Sequence, residues 1–350
     1  HSIATWNGAN WAGLPTSAGN HGLYARVDTV ATYGNSTCFE GVDIHPLGNL
    51  VCWNGFAWTG LNGDGANTLP AIRHLITSGS DLYAVGNFVI ADSCCVAHWD
   101  GAAWNAVGSG LNGYGFTMTV DGPTVYVSGY FTQGVGVLEW DGSTWHALGS
   151  AFAGPPNALA MYDGKLYATG YFTQAGGVPA NRIAAWDGAN WSAVAGGLSD
   201  GVGTTLAVSR GSLYVGGNFT HADGIEASSL ARWNGSQWSA VTTPSGNGVR
   251  YFAYPGSVST LVDSDLGLFV GGLFDSAGGT PANSITRFDG NDFHALGAGS
   301  SNGIDGYVSS IAVDGTNIHL GGSFNVAGGL VSSKVARFAM DDTIFDDGFD

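Results

Sequence analysis

Arg73 and His74 stand next to each other in a segment whose counterparts elsewhere in the chain carry small or apolar residues. A guanidinium stays charged and offers a planar fork to a carboxylate, while an imidazole or a phenol can accept a proton. Together with Arg26, the pair suits neutralisation of an anionic group, and His74 or Tyr114 would then be the base of a uronate-specific lyase. The competing reading is a solvated lining of a central channel. A second group, Glu40, Asp43 and His45, lies within one short span and pairs carboxylates with an imidazole. It could serve a divalent metal or acid-base chemistry, but the spacing matches no recognised ligand motif, so no metal is assigned. A third group, Arg250, Tyr251, Phe252 and Tyr254, combines a permanent cation with flat surfaces suited to a sugar ring or a carboxylate. The alternative there is a loop pinned by its own aromatics. The candidate ligand-binding residues are Arg250, Tyr251, Tyr254, His45 and His221, and no cofactor is assigned.

Charge narrows the partners. Ten basic residues face 27 acidic ones, a formal net charge of −17. Phosphate backbones and anionic membrane surfaces both call for basic patches, so neither nucleic acid nor membrane is expected as a partner. No apolar run of about 18 residues is present, which excludes a helical membrane span, and no basic segment precedes an apolar one at the start. Cys38, Cys52, Cys94 and Cys95 allow three pairings. Cys38 with Cys52 is favoured, leaving an adjacent-residue bridge between Cys94 and Cys95. Cysteine usage and the scarcity of Lys point to a secreted or cell-surface bacterial protein after signal-peptide removal, expected as a monomer.

The elements that must position these groups are strands. The 350 residues include 58 Gly, 12 Trp, 13 Tyr and 17 Phe but only 3 Met, and Glu and Lys are scarce. Good helix formers are few, while aromatic and turn-forming residues abound, so the class is all-β. The segment GKLYATGYFTQAGGVPANRIAAWDGANWSAV from Gly164 is repeated as GSLYVGGNFTHADGIEASSLARWNGSQWSAV from Gly211. The aromatic before the Asp-Gly or Asn-Gly turn recurs at Trp6, Trp53, Trp99, Trp140, Trp186, Trp233 and Phe288, with a further aromatic at Phe338. These eight markers bound seven intervals. Within one interval four strands are expected, at 158–162, 166–171, 182–186 and 191–194 in the fourth. Asp163-Gly164 and Asp187-Gly188 are expected as the centres of two-residue hairpins. Four antiparallel strands in a period somewhat above 40 residues are the signature of a propeller blade.

The chain therefore reads as one domain over residues 1–350, a seven-bladed β-propeller of four-stranded antiparallel blades. Residues 1–14 form a closing hairpin that joins the last blade, and residues 339–350 form an acidic tail. Residues 3–6 and 335–338 both look like third strands, and a four-stranded blade has room for one. The paired glycines Gly216-Gly217, Gly271-Gly272 and Gly321-Gly322 are expected inside second strands, where they permit a bulge or close backbone approach.

The pattern LYVGGNFT, then LARWNG, then WSAV resembles the repeats of Rax2-type cell-polarity proteins and of bacterial secreted propellers. More distantly it resembles kelch and galactose-oxidase-like propellers. The resemblance covers about residues 71–338 and implies fold more than function, because such propellers serve as adhesins, lectins, scaffolds and enzymes. The Cys-aromatic and Tyr/His positions of a galactose-oxidase copper site have no match here. The leading expectation is an extracellular propeller binding glycans or another surface ligand through its variable rim. A polysaccharide-active lyase and a structural matrix protein are the alternatives.

Overall fold

The computed structural model describes residues 3–7, 11–13, 26–45, 47–61, 69, 71–90, 93–109, 111–297, 299, 302–315, 317–331 and 335–339. The side chains of residues 3–13, of Asp43 and of 330–339 lie outside this description, as does the backbone of 340–350, which holds most of the expected acidic tail.

The chain is an all-β propeller. Among the described residues, seven sheets repeat one antiparallel order of four sequential strands, with one departure. The fourth shows the pattern plainly, as Pro156–Tyr162, Lys165–Gly170, Ile183–Trp186 and Trp191–Ala193. The inner strands of the others are Thr29–Tyr33, Ile72–Ser78, Gly113–Asp121, Gly203–Ser209, Ser257–Ser264 and Tyr307–Asp314. Asp163 and Gly164 take φ of +50° and +70°, so the inner hairpin has its two-residue turn. The outer hairpin does not. Trp186 pairs with Trp191, leaving a four-residue loop in which the Asp187 Oδ1 accepts from the amides of Ala189 and Asn190. The same side-chain turn recurs at Asn54, Asp100, Asp141, Asn234 and Asp289. These turn residues are thereby accounted for as backbone acceptors.

The last sheet is the departure. Its order runs Trp11–Gly13, Ile3–Asn7, Val335–Ala339, Asn317–Ser323, Tyr307–Asp314. Both rival segments are admitted: Val335–Ala339 holds the third place, and Ile3–Asn7 pairs parallel to it, making five strands. The first sheet departs from the repeat in its second strand. The stretch Ser36–His45 is itself a ten-residue second strand, with a break in register between Glu40 and His45.

The core lies between sheets. Each of seven buried apolar clusters joins residues of two neighbouring sheets, and the one containing Val27, Val30, Phe39 and Val51 includes Ala312 of the last sheet. Outer-strand tryptophans reach back to the preceding sheet, with Trp104 Nε1 donating to Leu61 O at 2.9 Å and Trp191 Nε1 to Leu148 O at 2.7 Å. Both expected disulfides are present, Cys38–Cys52 between paired strands and Cys94–Cys95 within Ser93–Trp99. Cys94 and Cys95 are buried, so their bridge is packed inside.

Candidate functional site at the channel mouth

The inner strands of the seven sheets surround a cavity of about 690 Å³. Six of them carry a bulge at the same place, next to the entry of the strand, as between Ile72 and His74 or between Val258 and Thr260. In the first sheet, Asp28 lies at the corresponding step, its amide bonded to Glu40 O. The residues at this position are Asp28, Arg73, Phe116, Asn157, Thr204, Ser259 and Ser309, and all of them line the cavity.

Four of these residues do one job. Asn157 Nδ2 donates to Gly203 O at 3.3 Å, Thr204 Oγ1 to Val258 O at 2.5 Å, Ser259 Oγ to Val308 O, and Ser309 Oγ to Val27 O at 2.5 Å. Each bond ties one sheet to the inner strand of the next or to the residue leading into it. The other three residues do not repeat this bond. Asp28 pairs instead with Arg26, whose Nε lies 2.5 Å from its Oδ1. The guanidinium of Arg73 lies over the Phe116 ring, 4.8 Å from its centroid. Three adjacent positions thus carry charge and an aromatic surface where the rest of the ring carries structural hydrogen bonds.

The surroundings of this sector are aromatic and open. The Phe116 ring meets Tyr130 edge-on at 5.6 Å, and Tyr130 is the cross-strand partner of Tyr114. Tyr114 and Tyr130 are both about half exposed. Arg73 is exposed and, among the described residues, has neither a hydrogen bond nor an ion pair. Of the residues in the lyase reading, Arg73 lines the cavity, Arg26 is bonded to Asp28 of the lining, and Tyr114 pairs across the strand with Tyr130, which meets Phe116. His74 is placed differently. Its Nδ1 lies 3.3 Å from Thr117 Oγ1 of the next sheet, and burial in the channel wall pulls its pKa down to about 4. A base that weak, engaged as a link between sheets, is poorly matched to proton abstraction near neutral pH.

The other candidates fall elsewhere. Glu40 is buried beside Asp28 and Arg26. Loss of solvation first, and the Asp28 carboxylate second, push its pKa up to about 8, against the opposing pull of Arg26. His45 is buried against Trp58, with ring centroids 5.3 Å apart, and its Nδ1 accepts from the Leu47 amide. Burial lowers its pKa. No group of three metal-ligating side chains occurs among the described residues, and the Asp43 side chain lies outside them. Arg250 donates to Ala253 O in its own loop at 2.9 Å and faces Glu226 at 3.9 Å. That loop is folded, with Val249–Tyr251 pairing to Tyr254–Pro255 and to Ser276–Ala277. Tyr251 borders a separate cavity of about 310 Å³, while Phe252 and Tyr254 are largely exposed. His221 lies in a small hairpin on the same rim, its Nδ1 2.7 Å from Thr220 Oγ1 and 3.6 Å from Asp200.

Asp28, Phe116 and Tyr130 were not among the sequence candidates. Aligning the inner strands as VDTV, IRHL, GFTM, PNAL, GTTL, VSTL and VSSI exposes the signal, a polar second position interrupted by Asp, Arg and Phe.

The comparisons with known proteins agree with the architecture. A family described as a domain of unknown function (DUF5122) β-propeller matches residues 163–184. No curated protein matches the chain. The extracellular domain of the putative one component system BT4673 from B. thetaiotaomicron is similar, with a TM-score of 0.57 and 12% identity over 87% of this chain and 38% of that one. The present chain thus spans well under half of that protein's length. The WD40 β-propeller domain of Doa1 gives a TM-score of 0.53 with 12% identity, over 92% of this chain and 95% of that one. YCF48 from Cyanidioschyzon merolae gives 0.51 with 11% identity, over 92% and 96%. At these identities the likeness is one of fold, and the fold common to the findings is the β-propeller.

Proposed function

We propose that the protein is a secreted, monomeric, seven-bladed propeller whose ring is closed by its N-terminal hairpin, and that it binds a saccharide or another surface ligand at the variable rim. Contact centres on the channel mouth formed by Asp28, Arg73 and Phe116. The observation that carries this reading is that at three adjacent positions of the mouth the side chain makes no sheet-to-sheet hydrogen bond and instead supplies an ion pair and an exposed cation on an aromatic ring. These sheets are linked by other side chains, with Thr29 Oγ1 accepting from the Leu75 amide, Thr117 meeting His74, and Ser128 Oγ donating to Pro156 O at 2.6 Å, so the three positions at the mouth are left available to a ligand. Tyr114 and Tyr130 supply flat amphipathic faces of the kind that stack on sugar rings. Tyr251, Tyr254 and His221 extend the same rim outward, while Arg250 is turned toward its own loop. Two disulfides fit an oxidising compartment, and the extracellular domain among the similar structures fits export.

Calorimetric titration with a panel of neutral and acidic oligosaccharides tests the proposal. We expect at least one class to bind and Phe116→Ala to lower its affinity tenfold or more. Absence of binding across the panel, or unchanged binding by Phe116→Ala, would count against it.

A further inference from the structure

Resting on the reading of the channel mouth as a ligand site, we infer that its ligand is a short saccharide bearing a carboxylate, a uronic acid, and that Arg73 selects it. The inference follows from the charges in the mouth, taken one by one. The Asp28 carboxylate is answered by Arg26, its partner through Nε and Nη2. Glu40, buried behind that pair, holds its proton at neutral pH, and His74 in the wall is uncharged. Among the described residues, Arg73 remains as an unanswered positive charge in a protein whose formal net charge is −17. Leaving a cation unpaired beside so many carboxylates keeps it available to an incoming anion.

Geometry then decides which kind of anion. The Phe116 face holds the guanidinium by its ring and leaves the edge of the fork free. That edge matches a planar carboxylate through two parallel hydrogen bonds. The aromatic surfaces of Phe116, Tyr130 and Tyr114 continue from the guanidinium toward solvent, so a ring attached to the carboxylate has a surface to lie on. A carboxylate joined directly to a pyranose ring combines these two features. The surrounding negative charge repels long polyanions, which favours short oligomers over extended polymer.

Calorimetry with trigalacturonate and its trimethyl ester, on the full chain and on Arg73→Gln, tests the inference. The ester keeps the rings and removes the charge. We expect the acid to bind the unmodified protein at least tenfold more tightly than the ester, and Arg73→Gln to abolish that preference while leaving ester affinity within about twofold. Equal binding of acid and ester, or a preference retained in Arg73→Gln, would overturn the assignment of Arg73 and leave saccharide binding standing. Failure of both ligands to bind the unmodified protein would overturn this inference, and failure across the wider panel would remove the saccharide reading with it.

Discussion

Glu40 shows how one residue departs from a repeat and at what cost. By strand pairing it stands opposite Thr29, as Gly216 stands opposite Thr205 and Gly271 opposite Thr260. A side chain there meets the neighbouring sheet, since a Cβ on Gly216 would fall 2.4 Å from Val258 Cγ1. The Glu40 carboxyl is accordingly buried, and its pKa rises from 4.5 to about 8. A raised acid pKa means that the folded protein holds the proton more tightly than the unfolded chain. The associated stability is complete below pH 4.5 and disappears as pH climbs through 8. Between pH 7 and 9 the loss is about 1.5 kcal/mol. His74 acts in the opposite sense and below this window, because its lowered pKa removes stability as pH falls from 6.5 toward 4. Denaturant unfolding of Glu40→Gln should lack the decline between pH 7 and 9 seen in the unmodified protein. Parallel declines in the two proteins would show that Glu40 is not the group responsible.

At the scale of the element, the paired glycines of the second strands divide two tasks between them. A Cβ on Gly271 would meet side-chain atoms at 2.8–2.9 Å, those of Thr260, Ile311 and Val308, whereas one on Gly272 would fall 1.9 Å from the backbone oxygen of Ser257. Side chains can yield, but a strand held by its own ladder cannot, so Gly272→Ala should lower the unfolding midpoint clearly more than Gly271→Ala. The reverse order would contradict the packing described. Much of this level was legible in the sequence, because periodic aromatics and turn glycines are local signals that fix where strands begin and end. Asp163-Gly164 was read correctly as a two-residue turn. Asp187-Gly188 was not, because the same dipeptide also opens a four-residue loop in which the Asp side chain caps two amides. The fifth strand of the last sheet escaped because two segments with one pattern, from opposite ends of the chain, pair in parallel. Of the site, Arg73 stands out in the sequence as a departure from the repeat, with Arg26 and Tyr114 as its expected companions. The partnership of Arg73 with Phe116 was hidden because a bulge moves the two residues out of the alternation that a strand otherwise imposes.

For the whole molecule, the repeated sheet gives a frame in which departures acquire meaning. The links from Ser309 to Val27 and from Ser310 to Val30, with Ala312 in the first sheet's cluster, bring the last inner strand beside the first and support the proposed closure. The frame sets seven equivalent positions around one mouth, and three neighbouring ones have exchanged hydrogen bonding for charge and aromatic surface. No helix among the described residues is long and apolar enough to cross a membrane. Arg73 is an exposed guanidinium, unopposed among the described residues, set over an aromatic ring at the opening of the central cavity. Whether this mouth receives the ligand is decided by a crystal structure with trigalacturonate bound. A carboxylate should lie within hydrogen-bond distance of the Arg73 guanidinium, with a sugar ring against Phe116, Tyr114 or Tyr130. Saccharide density confined to the Arg250 loop or to the outer strands, with the mouth empty, would contradict that placement.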